Sequence, residues 1–242
     1  MIRALIFRKP ILFRISSANK KFLPAIVDFL KQDIPEIDQL VGFTEGITPT
    51  PDVIFTYEIE PGDTNRRKYF SRYNGVVRER KKSAAVLTGH EEMSDLKILV
   101  HGMMSYFGQN RHNISKIFIP HDFDLDKFRD SFQDYEFLPD NNKYRNNYDY
   151  YKSVYLLNKE KFHDNGFVIF KEDSNQMMNP LSVIFYEQYD DRDKLQNQLE
   201  KLPFHKIYAM DKKDFSAADF LYPDLLALED NHQFLKALKV IA

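Results

Sequence analysis

Ser105, His112 and Ser115 stand close together in the stretch Ser105-Tyr106-Phe107-Gly108-Gln109-Asn110-Arg111-His112-Asn113-Ile114-Ser115. A hydroxyl nucleophile needs a base within reach and an acid that orients the base. No such set is evident, so a structural role is the better reading of His112. His121-Asp122-Phe123-Asp124-Leu125-Asp126 carries the spaced carboxylates of a calcium loop. That loop needs glycine at its sixth position and glutamate at its twelfth. Counted from Asp122, these are Lys127 and Gln133. The run reads instead as a strand exit into a helix whose acidic first turn suits the helix dipole. His163-Asp164 has no partner cluster and reads as a turn, so no metal site is expected. Arg78-Glu79-Arg80-Lys81-Lys82 could hold a phosphate, including the 3′-phosphate of CoA, but a solvated crossover is the commoner meaning of such a run.

Composition narrows the field. The chain has 242 residues, enough for one large domain or two small ones. It is 43% hydrophobic, with 21 Phe and 14 Tyr, so a sizeable core is within its means. Lys plus Arg (34) nearly balances Asp plus Glu (36), and a net charge of -2 provides no general field for nucleic acid or membrane. Tyr144 to Tyr155 interleaves aromatic and basic residues in the way that stacks on single strands, but that balance argues against it. Only 8 glycines leave few close backbone approaches to phosphate. The absence of cysteine excludes disulfides, thiolate metal sites and thiol catalysis. No apolar run reaches the length of a signal peptide or a spanning helix. A cytoplasmic protein without a membrane span is the expectation.

Strands and helices alternate along the chain. Ile11–Ile15, Leu40–Phe43, Asp52–Thr56, Ser83–Leu87, Ile117–Ile119, Phe167–Phe170, Val183–Tyr186 and His205–Met210 read as strands. Helical spacing runs from Phe22 to Leu30, with Ser17 or Asn19 as its N-cap, and Pro61 opens a helix that reaches Tyr73. Further helices are expected over Glu92–Phe107, Asp124–Phe132, Asn141–Asn158, Arg192–Lys201 and Gln233–Val240. This order predicts an α/β fold with a largely parallel sheet. No internal repeat or linker divides the chain, and the basic run at Arg78–Lys82 is the best candidate crossover.

Tyr106 to Pro120 resembles the nucleophile turn of the aldehyde dehydrogenase superfamily, where a helix passes through Gly-Gln-x-Cys into a strand. The form closest to it is that of the acyl-CoA reductases of bacterial luminescence. Other segments are similar to the family in order. Ile11-Leu12-Phe13-Arg14-Ile15-Ser16-Ser17 resembles the cofactor-domain strand ending in Lys-x-Ser, and Asp52 to Thr56 the strand before a Thr-Gly-Ser turn. Thr64-Asn65-Arg66, Val86-Leu87-Thr88-Gly89, Lys143 to Tyr150, Asp164 to Phe167 and Pro180 to Asp191 resemble further family segments. The resemblance implies a truncated aldehyde-dehydrogenase-like fold. A Rossmann-like remnant would cover residues 1–82, a catalytic-type α/β domain 83–200, and a C-terminal return or oligomerisation segment 201–242. The family's N-terminal segment, with its oxyanion asparagine, is expected to be missing.

The resemblance places the nucleophile at Arg111. A guanidinium stays protonated and only donates, so it cannot attack a thioester. Thr56-Tyr57-Glu58 replaces Thr-Gly-Ser, filling the space of a glycine and adding negative charge where phosphates would lie. Arg14, Ser16, Thr56 and Glu172 would be vestigial cofactor contacts, with Glu172 at the position that holds the nicotinamide ribose. The expectation is a pseudoenzyme that binds no cofactor, or NADPH if the ancestral site survives. Its partners would be an active reductase paralogue, an acyl-activating enzyme or another copy of itself. An NADPH-dependent acyl-CoA reductase active only with a partner chain, and a module that binds fatty-acyl groups or acyl-CoA, are the alternatives.

Overall fold

The computed structural model describes residues 8–15, 20–46, 50–59, 63–110 and 113–210. They form two compact units that divide between Arg78 and Glu79.

In the first unit, β1 (Ile11–Arg14) and β2 (Val41–Thr44) pair in parallel, with Ile11 opposite Val41 and Arg14 opposite Thr44. Helix α1 (Phe22–Leu30) and the single turn α2 (Ile37–Leu40) bury Val27 and Ile37 against Val41, Ile11, Phe13 and Phe43. Lys21 occupies the N-cap of α1 and contributes no side-chain cap, so the expectation of Ser17 or Asn19 there is corrected. Strands β3 (Ile54–Ile59) and β4 (Gly75–Glu79) form a second pair. A Cβ on Gly75 would come within 1.9 Å of the Ile54 carbonyl oxygen, so only glycine allows this approach. Helix α3 spans Thr64–Phe70, shorter than the expected run from Pro61 to Tyr73. The Asp63 carboxylate accepts from the Arg66 N–H at 2.9 Å and fixes its start.

The second unit is built on a six-stranded sheet in the order β10-β5-β6-β9-β8-β7. Its strands are β5 (Ser83–Val86), β6 (Ile114–Pro120), β7 (His163–Asp164), β8 (Ile169–Glu172), β9 (Val183–Tyr189) and β10 (Ile207–Ala209). All pairs are parallel except β7 with β8. His163-Asp164 is therefore an edge strand and not a free turn.

Strand alternation sorts the core onto two faces. On one face, Ala85, Leu87, Ile117, Ile119 and Ile184 pack against α4 (Met93–Met104) and α5 (Leu125–Asp130). Phe128, Phe132 and Phe170 meet edge-on there, with ring centres 5.1–5.6 Å apart. Each buried phenyl ring contributes roughly 1.5–3 kcal/mol. On the other face, Leu195 and Leu199 of α7 (Arg192–Leu199) cover Ala84, Val86 and Phe118. Tyr148 and Tyr155 of α6 (Asn142–Leu157) cover Ile169, Val183 and Phe185. Between these clusters Lys116, fully buried, meets Glu187 at 2.6 Å and donates to the Ser174 carbonyl at 2.9 Å. The crossover from β8 to β9 runs above it.

Two expectations change. The helix expected to reach Phe107 stops at Met104. The two units divide within the basic run, between Arg78 and Glu79, but the run is not solvated throughout: Arg78 and Glu79 lie in β4, and Lys82 is 2% exposed. The expected helix at Gln233–Val240 lies outside the described residues. Among the described residues, no helix is long and apolar enough to cross a membrane.

Candidate functional site

The turn between α4 and β6 carries three consecutive left-handed residues, and Lys159 and Ser182 are further non-glycine residues of the second unit with positive φ. Tyr106 (φ 54°, ψ 40°), Phe107 (φ 59°, ψ 29°) and Gly108 (φ 70°) all adopt left-handed backbone. Glycine accepts this freely. Each aromatic residue gives up roughly 1–2 kcal/mol to do so. Tyr106 is 69% exposed, so its own burial does not offset that strain.

Two buried side chains hold the turn from below. Lys82 Nζ donates to the carbonyls of Gly108 at 3.0 Å and Asn110 at 2.8 Å. Asn113 Nδ2 donates to the carbonyls of Met103 and Ser105, both at 2.8 Å. Lys82 immediately precedes β5 and Asn113 immediately precedes β6, and the Ser83 N–H donates to the Asn113 carbonyl at 3.0 Å. The turn therefore sits at the amino edge of the sheet. Nothing in the sequence marks Lys82 as an anchor, since it closes a charge run. The one signal for Asn113 is a small polar residue just before an apolar strand.

The hydroxyls near the turn are engaged in structure. Ser105 Oγ donates to the His101 carbonyl at 2.5 Å, and Ser115 Oγ donates to the Met177 carbonyl at 2.7 Å. His101 Nδ1 lies 2.5 Å from Tyr135 Oη. Burial raises the Tyr135 phenol above its ordinary range, and a hydrogen bond with Ser105 opposes part of that shift. This histidine and tyrosine were not foreseen from sequence spacing, because they lie on different elements.

Arg111, His112 and Ser16 lie outside the described residues. Arg14 is exposed at the end of β1, and Thr56 is half-buried on β3, a separate sheet of the first unit. Glu172 is exposed at the end of β8 in the second unit. It faces Tyr186, whose phenol is raised by burial and further by the Glu172 charge.

At the carboxyl edge of the sheet the chain supplies its own anion. After β5, the N–H groups of Thr88 and Gly89 donate to the Glu91 carboxylate at 2.5 and 3.0 Å, and Thr88 Oγ1 joins them at 2.9 Å. Gly89 has φ +89°, and a Cβ there would press on Pro120 at 3.1 Å. A nest of amides of this kind suits a phosphate. Here Glu91 fills it. At the carboxyl ends of β6 and β9, His121 bridges Gln188 (2.9 Å) and Asp190 (2.7 Å). Among the described residues, no group of acidic residues and histidines could hold a metal ion.

No protein-family model and no curated protein matches this chain. Solved structures do. The structure of proline utilization A (PutA) with proline bound in remote sites matches at a TM-score of 0.55 and 10% identity, over 83% of this chain and 27% of that one. The Δ-pyrroline-5-carboxylate dehydrogenase from Mycobacterium tuberculosis matches at 0.49 and 14%, over 76% of this chain and 49% of that one. AldH from Staphylococcus aureus in a substrate-bound state matches at 0.49 and 12%, over 78% and 55%. The chain thus spans about half or less of the length of these structures. The likeness to proline utilization A is one of fold alone, a mixed α/β architecture shared over part of that structure's length.

Proposed function

We propose that this chain is a catalytically degenerate relative of the acyl-CoA reductases, acting as a non-catalytic subunit or regulator in an acyl-processing complex. One observation carries the reading: the 242 residues contain no cysteine, and Arg111 stands where the resemblance places the nucleophile. Thiolate attack on a thioester has no substitute in a guanidinium, which stays protonated and donates only. The two serines nearest the turn are tied to backbone carbonyls, which supports the same conclusion. A helix-to-strand turn retained with two buried anchors, without its nucleophile, is what loss of chemistry with retention of fold would leave. The exposed Tyr106 held in a strained conformation gives a partner something to read.

Thermal unfolding of the protein alone, with saturating NADPH and with saturating long-chain acyl-CoA, tests this. A ligand present at about 100 times its dissociation constant adds roughly 2.7 kcal/mol of stability. The reading expects no shift with NADPH, and co-purification with an acyl-processing enzyme. A shift with NADPH would revive a reductase that takes its nucleophile from a partner chain. A shift with acyl-CoA alone would make the chain an acyl-binding module.

A further inference from the structure

Asparagine stands directly before glycine at two places, Asn74-Gly75 and Asn165-Gly166. This dipeptide carries a reaction of its own. The glycine nitrogen can attack the asparagine side-chain carbonyl carbon, because glycine has no Cβ to obstruct the approach. The N–Cγ bond forms, the glycine nitrogen gives its proton to water, and the side-chain nitrogen leaves as ammonia. Water then opens the cyclic imide. Cleavage at one carbonyl gives aspartate. Cleavage at the other gives isoaspartate, whose main chain runs through Cβ and Cγ. The two sites share this chemistry and differ in their surroundings.

Asn165 is held at both reacting groups. Its Oδ1 accepts from the Phe167 N–H at 3.3 Å and the Val168 N–H at 2.9 Å. The Gly166 N–H, which would be the nucleophile, donates to Asp164 Oδ1 at 3.0 Å. Asp164 is itself fixed by Tyr148 Oη at 2.9 Å and by Lys152 at 3.2 Å. To close the ring, Asn165 must release its two donors and Gly166 must leave its carboxylate. Each of these bonds adds to the barrier.

Asn74 has no such restraint. It lies exposed in the bend between α3 and β4, and Gly75 is exposed beside it. Its side chain makes no hydrogen bond among the described residues. Its main-chain carbonyl accepts from the Ile54 N–H at 2.8 Å, which leaves the side chain free to turn toward Gly75. We propose that Asn74 is a site of spontaneous deamidation and isoaspartate formation, and that Asn165 is protected by its turn. The product matters because of where it forms. Isoaspartate moves the carbonyl that Ile54 holds out of the main chain, next to a glycine that approaches Ile54 too closely for a Cβ. It therefore opens the start of the β3–β4 pair, whereas aspartate adds only a charge.

The test is to age the full chain at mildly alkaline pH and read both asparagine peptides by mass spectrometry, with electron-transfer fragmentation to separate aspartate from isoaspartate. Asn74 should convert. Asn165 should convert at least about tenfold more slowly, the rate equivalent of breaking one hydrogen bond. In concentrated urea the two sites should react at comparable rates, because the same dipeptide is then free at both. In the isoaspartate fraction of the aged protein, the Ile54 N–H should lose its protection from hydrogen exchange. Aged Asn74→Gln, whose longer side chain must close a larger ring, should keep that protection. An intact Asn74, equal rates in the folded chain, or a rate difference that persists in urea would overturn the proposal. So would Ile54 protection that survives isoaspartate formation.

Discussion

The two edges of the six-stranded sheet are built on opposite terms. At the carboxyl edge the chain satisfies itself: Glu91 fills the amide nest after β5, Asp124 and Asp191 cap α5 and α7, and His121 sits between Gln188 and Asp190. At the amino edge three successive residues are left-handed, and buried polar groups such as Ser83 Oγ and Tyr144 Oη have no hydrogen-bond partner. Open α/β sheets ordinarily take their ligands beyond the carboxyl ends of the strands. Here that edge is occupied by the protein's own carboxylates, and strain and unmet hydrogen bonding lie at the other. Strain of this kind persists only where the surrounding structure enforces it. In this chain the enforcing groups can be named.

The largest effect should come from Lys82→Met. Removing a buried ammonium takes away its hydrogen bonds to the Gly108 and Asn110 carbonyls, and a loss of about 2–4 kcal/mol in denaturant unfolding is expected. A loss near zero would mean that the turn does not need its anchor. Asn113→Leu strips two further carbonyls and should cost about 2 kcal/mol in the same measurement. Glu91→Gln probes the other edge. It keeps the shape and removes the charge that two N–H groups and a hydroxyl converge on, so about 1–2 kcal/mol should be lost. If Glu91→Gln proved more damaging than Lys82→Met, the contrast between the edges would fail. Tyr106→Gly should raise stability by about 0.5–1 kcal/mol, since it relieves backbone strain at an exposed residue.

The smallest effect is one of pH. Burial pushes the Asp164 carboxyl up, but hydrogen bonds from Tyr148, the Gly166 N–H and Lys152 outweigh it, and the net shift is down from 3.8. A carboxyl depressed on folding stabilises above its unfolded value, and that contribution fades as pH falls through the folded value. Urea midpoints should therefore hold through neutral pH and decline in the acid range. Asp164→Asn should show a shallower acid decline than the parent, and equal slopes would remove Asp164 from the account.

Much of the second unit was legible before any coordinates. The apolar runs at Ser83–Leu87, Ile117–Ile119 and Val183–Tyr186 became the central strands, because burial on both faces selects such runs. Asn141 was legible as the start of α6, since its side chain caps the Lys143 and Tyr144 N–H groups. The turn was legible as a place and not as a shape. Tyr106 and Phe107 fit a helical pattern, and the side chains that hold the turn, Lys82 upstream and Asn113 downstream, lie outside that pattern. Lys82 was misread because a charge in a charged run looks solvated, whereas its stem is buried and its head meets carbonyls. Tyr144 looked like one tyrosine among many. That its hydroxyl is buried without a partner depends on packing from other elements, which no local pattern encodes.

The central claim is that the turn has kept its form and lost its chemistry. Its most direct test is NADPH-dependent aldehyde formation from a long-chain acyl-CoA, by the parent chain and by Arg111→Cys. The account predicts no aldehyde from either, because restoring a thiol leaves Thr56-Tyr57-Glu58, which the structure places inside strand β3 and not in the turn expected there, without the glycine of the family's cofactor turn. Measurable aldehyde from either protein would contradict it.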